Sequence, residues 1–127
     1  MSKSVEAWKE RAEYDLETAR AMLEAGRFLY VLFCCQQAIE KALKALIVER
    51  SGELPPRIHS LLRLADTAGV TVPVERRPFL RELTAYSIQS RYPEEIPTSG
   101  TAIPRETAER ILKQTEAELQ WLLSMLT

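Results

Sequence analysis

The chain contains one histidine, two cysteines and four glycines in 127 residues, and these shortages exclude several kinds of site. The few glycines form no phosphate-cradling loop, and neither a nucleophile elbow nor a paired-carboxylate helix motif occurs. Cys34 and Cys35 are neighbours in a helical pattern, so they point in different directions and lack metal-ligand spacing. We therefore expect reduced, packed cysteines, no disulfide framework, no metal and no cofactor.

Long apolar runs are also missing. The longest, Phe28–Cys35, is far shorter than the roughly 20 residues that a membrane helix needs. The first residues are charged and helix-like, without an apolar signal core. With 17 basic and 18 acidic residues, the net charge of -1 will not attract nucleic acid to the protein as a whole. We expect a cytoplasmic protein with no membrane contact, folded as a single domain over residues 1–127.

The most informative stretch that is present is 28–50, which predicts one helix that is apolar on nearly every side. Its heptad seam is formed by Phe28, Leu32, Cys35, Ile39, Ala42 and Leu46, and a second apolar strip by Leu29, Phe33, Leu43 and Ile47. Gln36, Glu40 and Lys44 follow one another at four-residue spacing on the remaining side, next to Gln37 and Lys41. Buried polar groups cost free energy unless they find partners. This line therefore predicts either an internal hydrogen-bond network or a binding site.

The rest of the chain also predicts helices. We expect them at Ser4–Ala25, His59–Ala68, Glu75–Ser90 and Pro104–Leu126, separated by glycines, prolines and a β-branched connector around Pro73. Arg76, Arg77 and Arg81 are expected on the outer face of the fourth helix, where they form the best candidate for a phosphate contact outside the core. The predicted fold is all-α, an up-and-down four-helix bundle with an additional short helix.

Four segments, in this order, resemble the short stand-alone HEPN proteins of bacteria and archaea. They are AEYDL at Ala12–Leu16, QQAIEKALKAL at Gln36–Leu46, HSL at His59–Leu61 and RYP at Arg91–Pro93. The resemblance covers nearly the whole chain. It implies a helical bundle that is often dimeric, is commonly encoded beside a minimal nucleotidyltransferase and is proposed to bind that enzyme's nucleotide or substrate.

Some members of the family are ribonuclease toxins of toxin-antitoxin pairs, and these carry an Arg-x4-6-His motif. This chain lacks the motif, because its one histidine, His59, has no arginine at the required distance and Arg91 is followed there by Ile96, Pro97 and Thr98. Cleavage of RNA by general acid-base catalysis needs a group that titrates near neutral pH, and histidine is the usual one. The missing spacing favours a non-catalytic protein over a metal-independent ribonuclease.

The candidate ligand-binding residues are Lys41, Lys44, His59 and Arg91, which offer the charge and the planar fork that match a phosphate. The candidate supporting network consists of Asp15, Gln37, Glu40 and Tyr92. Each group also has a purely structural interpretation. Glu40 and Lys44 are spaced for an intrahelical ion pair, Asp15 for a salt bridge to Lys41 or Lys44, and His59 for a helix cap or turn.

The sequence thus supports a homodimeric binding subunit that partners a minimal nucleotidyltransferase and binds a nucleotide or an RNA phosphate. The dimer is expected because all three long helices carry heptad-spaced apolar strips and because a single bundle need not cover the second strip of the central helix. A ribonuclease toxin without the usual motif is the alternative, and a helical scaffold without any ligand is the third possibility.

Overall fold

The computed structural model describes residues 2–91 and 103–127, and for residues 88–91 it describes the backbone alone. The helices are α1 (Lys3–Glu24), α2 (Phe28–Ser51), α3 (Leu61–Ala68), α4 (Arg77–Arg91) and α5 (Arg105–Leu123), with a 3-10 turn at Val74–Arg76 before α4. The described residues contain no strand. The all-α bundle with a short extra helix is therefore confirmed.

Three of the predicted helices begin later than expected, and α5 does so by one residue because Pro104 is its N-cap. Ser60 is the N-cap of α3 and its hydroxyl accepts a hydrogen bond from the Arg63 N–H, so His59 lies in the turn before the helix. The fourth helix was expected from Glu75, but a 3-10 turn occupies Val74–Arg76 and α4 starts at Arg77, followed by Pro78. Proline suits the first turn of a helix because the N–H that it lacks has no intrahelical partner there.

Gly52 and Gly69 end α2 and α3 in the left-handed conformation, with φ of 73° and 71°. Residues with a Cβ rarely adopt this conformation. It turns the chain at the end of α2, where the Gly52 N–H donates to the Val48 carbonyl. Arg50, near the end of α2, donates to the Ala68 carbonyl at the end of α3 over 2.8 Å. These two helix ends are therefore held together.

Helix α2 lies at the centre of the bundle and contacts each of the other four helices. More than half of its residues are buried, including every seam position from Leu32 to Leu46. The second apolar strip is covered only in part within one chain: Leu43 and Ile47 are buried, and Leu29 and Phe33 are half-buried. The dimer stays a prediction.

The expectation for the arginines of helix four needs one correction. Arg81 is exposed and Arg77 half-exposed, but Arg76 packs its guanidinium over the ring of Trp121, 4.4 Å from the centroid. Arg76 lies in a 3-10 turn, which has three residues per turn, so it does not follow the register of a continuous α-helix from Glu75. The three arginines therefore do not form one solvated stripe.

No helix in the described parts of the chain is both long and apolar enough to cross a membrane.

We expect Leu32→Ala and Ile39→Ala each to lower the free energy of unfolding by about 2–5 kcal/mol, because each leaves a cavity beside the central helix. Both side chains are fully buried. Ser124→Ala, at the exposed end of α5, is the control and is expected to change stability by less than about 0.5 kcal/mol. Denaturant melts that give equal losses at the three positions would show that the core is elsewhere.

Candidate functional site

The polar line of α2 is buried inside the bundle. Gln36, Glu40 and Lys44 are only 0%, 3% and 8% exposed. Their four-residue spacing places them one above the other on the same side of the helix. Such groups are tolerated in a core only when their hydrogen bonds are satisfied, so the partners decide what this line does.

Glu40 is the centre of the arrangement. Its Oε1 accepts from Gln36 Nε2 and from His59 Nδ1, each at 3.0 Å, and its Oε2 accepts from Lys44 Nζ at 2.9 Å. Lys44 Nζ also lies 5.7 Å from the centroid of the Trp8 ring, within reach of a cation-π contact. Both carboxylate oxygens are therefore paired.

A second part of the network lies towards α1. Lys41 Nζ donates to Asp15 Oδ2 over 2.6 Å and to Gln37 Oε1 over 3.3 Å. Gln37 Nε2 in turn donates to Gln36 Oε1 over 2.7 Å, which joins this part to the Glu40 centre. The salt bridge expected between Asp15 and a lysine of α2 is thus present, and it is made with Lys41.

His59 enters the network from the turn between α2 and α3. Its carbonyl accepts from Gln36 Nε2 over 3.2 Å, so Gln36 binds the backbone of the same residue whose ring contacts Glu40. The turn is fixed from the other side by Thr84 of α4, whose hydroxyl accepts from the Leu61 N–H over 3.2 Å. The imidazole is thereby held at a defined position although 47% of its side chain is exposed.

The charges of the network balance. Asp15 and Glu40 match Lys41 and Lys44, and these four side chains are each at most 16% exposed. Burial alone would raise the pKa of Glu40, but the hydrogen bonds from Gln36, Lys44 and His59 outweigh it and lower the pKa. Glu40 is therefore ionised at neutral pH, and because a carboxylate only accepts, His59 Nδ1 carries the proton in their contact.

The structure brings together Asp15, Gln37, Glu40, Lys41, Lys44 and His59. The side chain of Arg91 and all of Tyr92 lie outside the described residues, so their place in the site stays a prediction. Gln36 was noticed only as part of the polar line, yet it contacts Glu40, Gln37 and the His59 carbonyl. The signal that pointed to it was its four-residue spacing from Glu40, in a helix with almost no other polar position on that side.

This arrangement holds His59, which can donate and accept a proton, against a buried carboxylate. The described residues include no cluster of three or more histidine, cysteine or acidic side chains that suits an ion. Burial raises the pKa of the Cys35 thiol to about 12, so this thiol stays protonated and is a poor nucleophile. The network can offer a phosphate little free positive charge, because Lys41 is already paired with Asp15 and Lys44 with Glu40.

Residues 5–125 match the sequence model of the HEPN domain. The chain belongs to the HEPN family. None of the curated protein sequences matches it significantly.

Two solved structures are similar to this HEPN protein over nearly its entire length. TT1696 from Thermus thermophilus is 30% identical, with a TM-score of 0.86 and a match that covers 98% of this chain and 100% of TT1696. ST0689, an archaeal HEPN homologue, is 27% identical, with a TM-score of 0.79 and coverage of 99% and 100%. The resemblance drawn from four short segments is thus confirmed at the level of the family and of the fold.

Glu40→Gln is expected to lower the free energy of unfolding by about 3 kcal/mol at pH 7, because it leaves the buried Lys44 without a counter-charge. A lowered pKa means that the contribution of Glu40 is complete above its ordinary value near 4.5 and is lost as the pH falls through the lower, folded-state value. The difference between wild type and variant should therefore shrink below about pH 4.5.

Glu109→Gln removes an exposed carboxylate from α5 and is the matched control, with little effect expected at any pH. Melts of the three proteins between pH 3 and pH 7 measure the difference. A Glu40→Gln loss that is the same at both ends of this range would contradict the assignment of an ionised, stabilising Glu40.

Proposed function

We propose that this HEPN protein is a non-catalytic binding subunit that dimerises, associates with a minimal nucleotidyltransferase and binds a nucleotide or substrate phosphate weakly. The observation that carries the non-catalytic part is that both lysines of the α2 network are paired with its two carboxylates, one of which also binds His59. Its charged groups hold one another in place, and the sequence supplies no second histidine to complete an acid-base pair. The partner rests on the resemblance to HEPN proteins that accompany such transferases.

The phosphate contact is best placed at the two more accessible ends of the network. Lys41 has 16% of its side chain exposed, against 9% for Lys44, and the His59 ring is half-exposed. A phosphate at Lys44 would have to displace the buried Glu40, whereas at Lys41 it competes with Asp15 nearer the surface. We therefore place the ligand at Lys41 and His59, with Arg91 as the third donor, and assign Lys44 to the support of Glu40.

Nucleotide binding is tested by titration calorimetry with a nucleoside monophosphate and a triphosphate, without metal. Lys41→Ala, His59→Ala and Arg91→Ala should each weaken binding by about 10-fold, as expected for loss of one charged hydrogen bond. Affinity should also fall with salt as the charges are screened. Lys113→Ala, an exposed lysine of α5, is the control. Unchanged affinity in all three variants would remove this site.

A ribonuclease is the second candidate, and one contact favours it. A buried carboxylate 3.0 Å from Nδ1 of a half-exposed histidine is how general bases are oriented in hydrolytic enzymes. The same purified proteins are therefore incubated with structured and single-stranded RNA. We expect no cleavage; cleavage that disappears in His59→Ala and persists in Lys113→Ala would replace the binding proposal with this one.

The dimer is tested separately, because it concerns the assembly and not the ligand. Light scattering at micromolar concentration should give a mass near twice the 14.5 kDa of one chain. A transferase encoded by the neighbouring reading frame should co-purify with the tagged protein. A monomer mass throughout would refute the dimer, and a neighbouring frame of another kind would favour the scaffold interpretation.

A further inference from the structure

His59 presents one edge of its imidazole ring to solvent. Its Nδ1 lies 3.0 Å from Glu40 Oε1, and the Glu40 side chain is only 4% exposed, so the Nδ1 edge faces the core. Opposite Nδ1 in the five-membered ring is the bond between Nε2 and Cδ2. Because 47% of the His59 side chain is exposed, the edge that carries Nε2 is the one that reaches solvent. Nε2 has no hydrogen-bond partner among the residues that the structure describes.

Glu40 sets the chemical state of this nitrogen. An ionised carboxylate can only accept, so in the neutral ring Nδ1 carries the proton and Nε2 keeps its lone pair. Nε2 is therefore a nucleophile. When it forms a bond, the ring becomes positively charged, and the carboxylate at Nδ1 stabilises that charge.

The ring is also held in place before any reaction. Gln36 Nε2 donates to the His59 carbonyl over 3.2 Å, and the Leu61 N–H donates to the Thr84 hydroxyl over 3.2 Å. His59 directly precedes Ser60, the N-cap of the eight-residue helix α3. The positive end of the helix dipole lies there, and it favours an anionic group attached to the neighbouring residue.

We propose that Nε2 of His59 is a phosphoryl-acceptor site, which takes a phosphoryl group from a small acyl phosphate or phosphoramidate. This goes beyond the binding of a nucleotide, because the phosphorus becomes covalently attached to the protein. A phosphoryl group suits the site better than an acyl group, since it brings negative charge to the cationic ring and to the start of α3.

The transfer needs no other reactant. The lone pair of Nε2 attacks phosphorus, the Nε2–P bond forms, and the bond from phosphorus to the leaving group breaks with its electron pair. An acyl phosphate releases a carboxylate, and a phosphoramidate releases ammonia from its protonated nitrogen. The ring keeps its Nδ1 proton and the resulting positive charge faces Glu40.

The choice of donor follows from the acids that the site lacks. Lys41 and Lys44 are each held by a carboxylate, and the chain has no second histidine to protonate a poor leaving group. Phosphate monoesters, whose alkoxide must be protonated as it leaves, are therefore not substrates. Acyl phosphates and phosphoramidates have leaving groups that depart without help from an acid.

The single histidine makes the test unambiguous, because phosphohistidine on this protein can only be at His59. The protein is incubated at neutral pH with acetyl phosphate or phosphoramidate, and ³¹P NMR identifies the phosphorylated ring nitrogen. A synthetic peptide of residues 55–63 is the control, since it has the same histidine without Glu40. We expect at least one donor to phosphorylate Nε2 alone, at least about 10-fold faster than in the peptide, as for one hydrogen bond to a charged group.

Three results would overturn the proposal: no phosphohistidine on the folded protein, a product at Nδ1, or a rate equal to that of the peptide. Reaction with one donor and not the other supports the proposal and identifies the donor class.

A variant then tests the part played by the carboxylate. Glu40→Gln removes the negative charge that faces the ring and should slow phosphorylation by about 10-fold or more. Glu109→Gln, which removes an exposed carboxylate of α5, should react like wild type. Equal rates in wild type and a folded Glu40→Gln variant would contradict the role given to Glu40. The comparison of wild type with the peptide decides the proposal even if this variant fails to fold.

Discussion

The burial of Glu40 at the centre of α2 is the constraint on which the rest of the site depends. An ionised carboxylate in a core is tolerated only when its oxygens are fully hydrogen-bonded, and here the donors come from its own helix and from the turn before α3. The polar line therefore fixes where the α2–α3 turn lies, because Gln36 and Glu40 hold both the backbone and the ring of His59. One buried charge thus couples the central helix to the segment that bears the exposed imidazole.

The same pairing limits what the site can bind. A phosphate gains most from cations that have no other partner, and in this bundle Lys41 and Lys44 are each held by an acidic side chain. Charge balance inside the network stabilises the fold at neutral pH but leaves the network with no net positive charge. The most accessible member is His59, whose position is set by the network and whose ring reaches solvent. In the proposed function, the strong structural pairing is also the reason why ligand binding is weak.

Much of this fold can be predicted from the periodicity of apolar residues in the sequence. The candidate site can be predicted from it only in part. The heptad spacing of Leu32, Ile39 and Leu46 predicts a buried helix, and all three are fully buried. The polar line was visible because it interrupts that pattern, but the Glu40–His59 contact joins residues 19 positions apart and depends on a turn whose path no local pattern encodes. Arg76 was misplaced for a related reason, since a 3-10 turn changes the direction of a side chain without changing the composition of the segment.

The bundle buries two carboxylates, Glu40 and Glu118, whose pKa values are shifted in opposite directions. Glu40 accepts three hydrogen bonds and its pKa is lowered, whereas Glu118 has one distant cation and its pKa is raised. The difference comes from the neighbours. Glu40 accepts from Gln36 and Lys44, four residues away on either side, and from His59. Glu118 has Gln114, whose oxygen accepts from Arg110, four residues before it and the apolar Leu122 four residues after it. A buried acidic residue whose oxygens lack donors destabilises the ionised fold unless a group from elsewhere completes its shell.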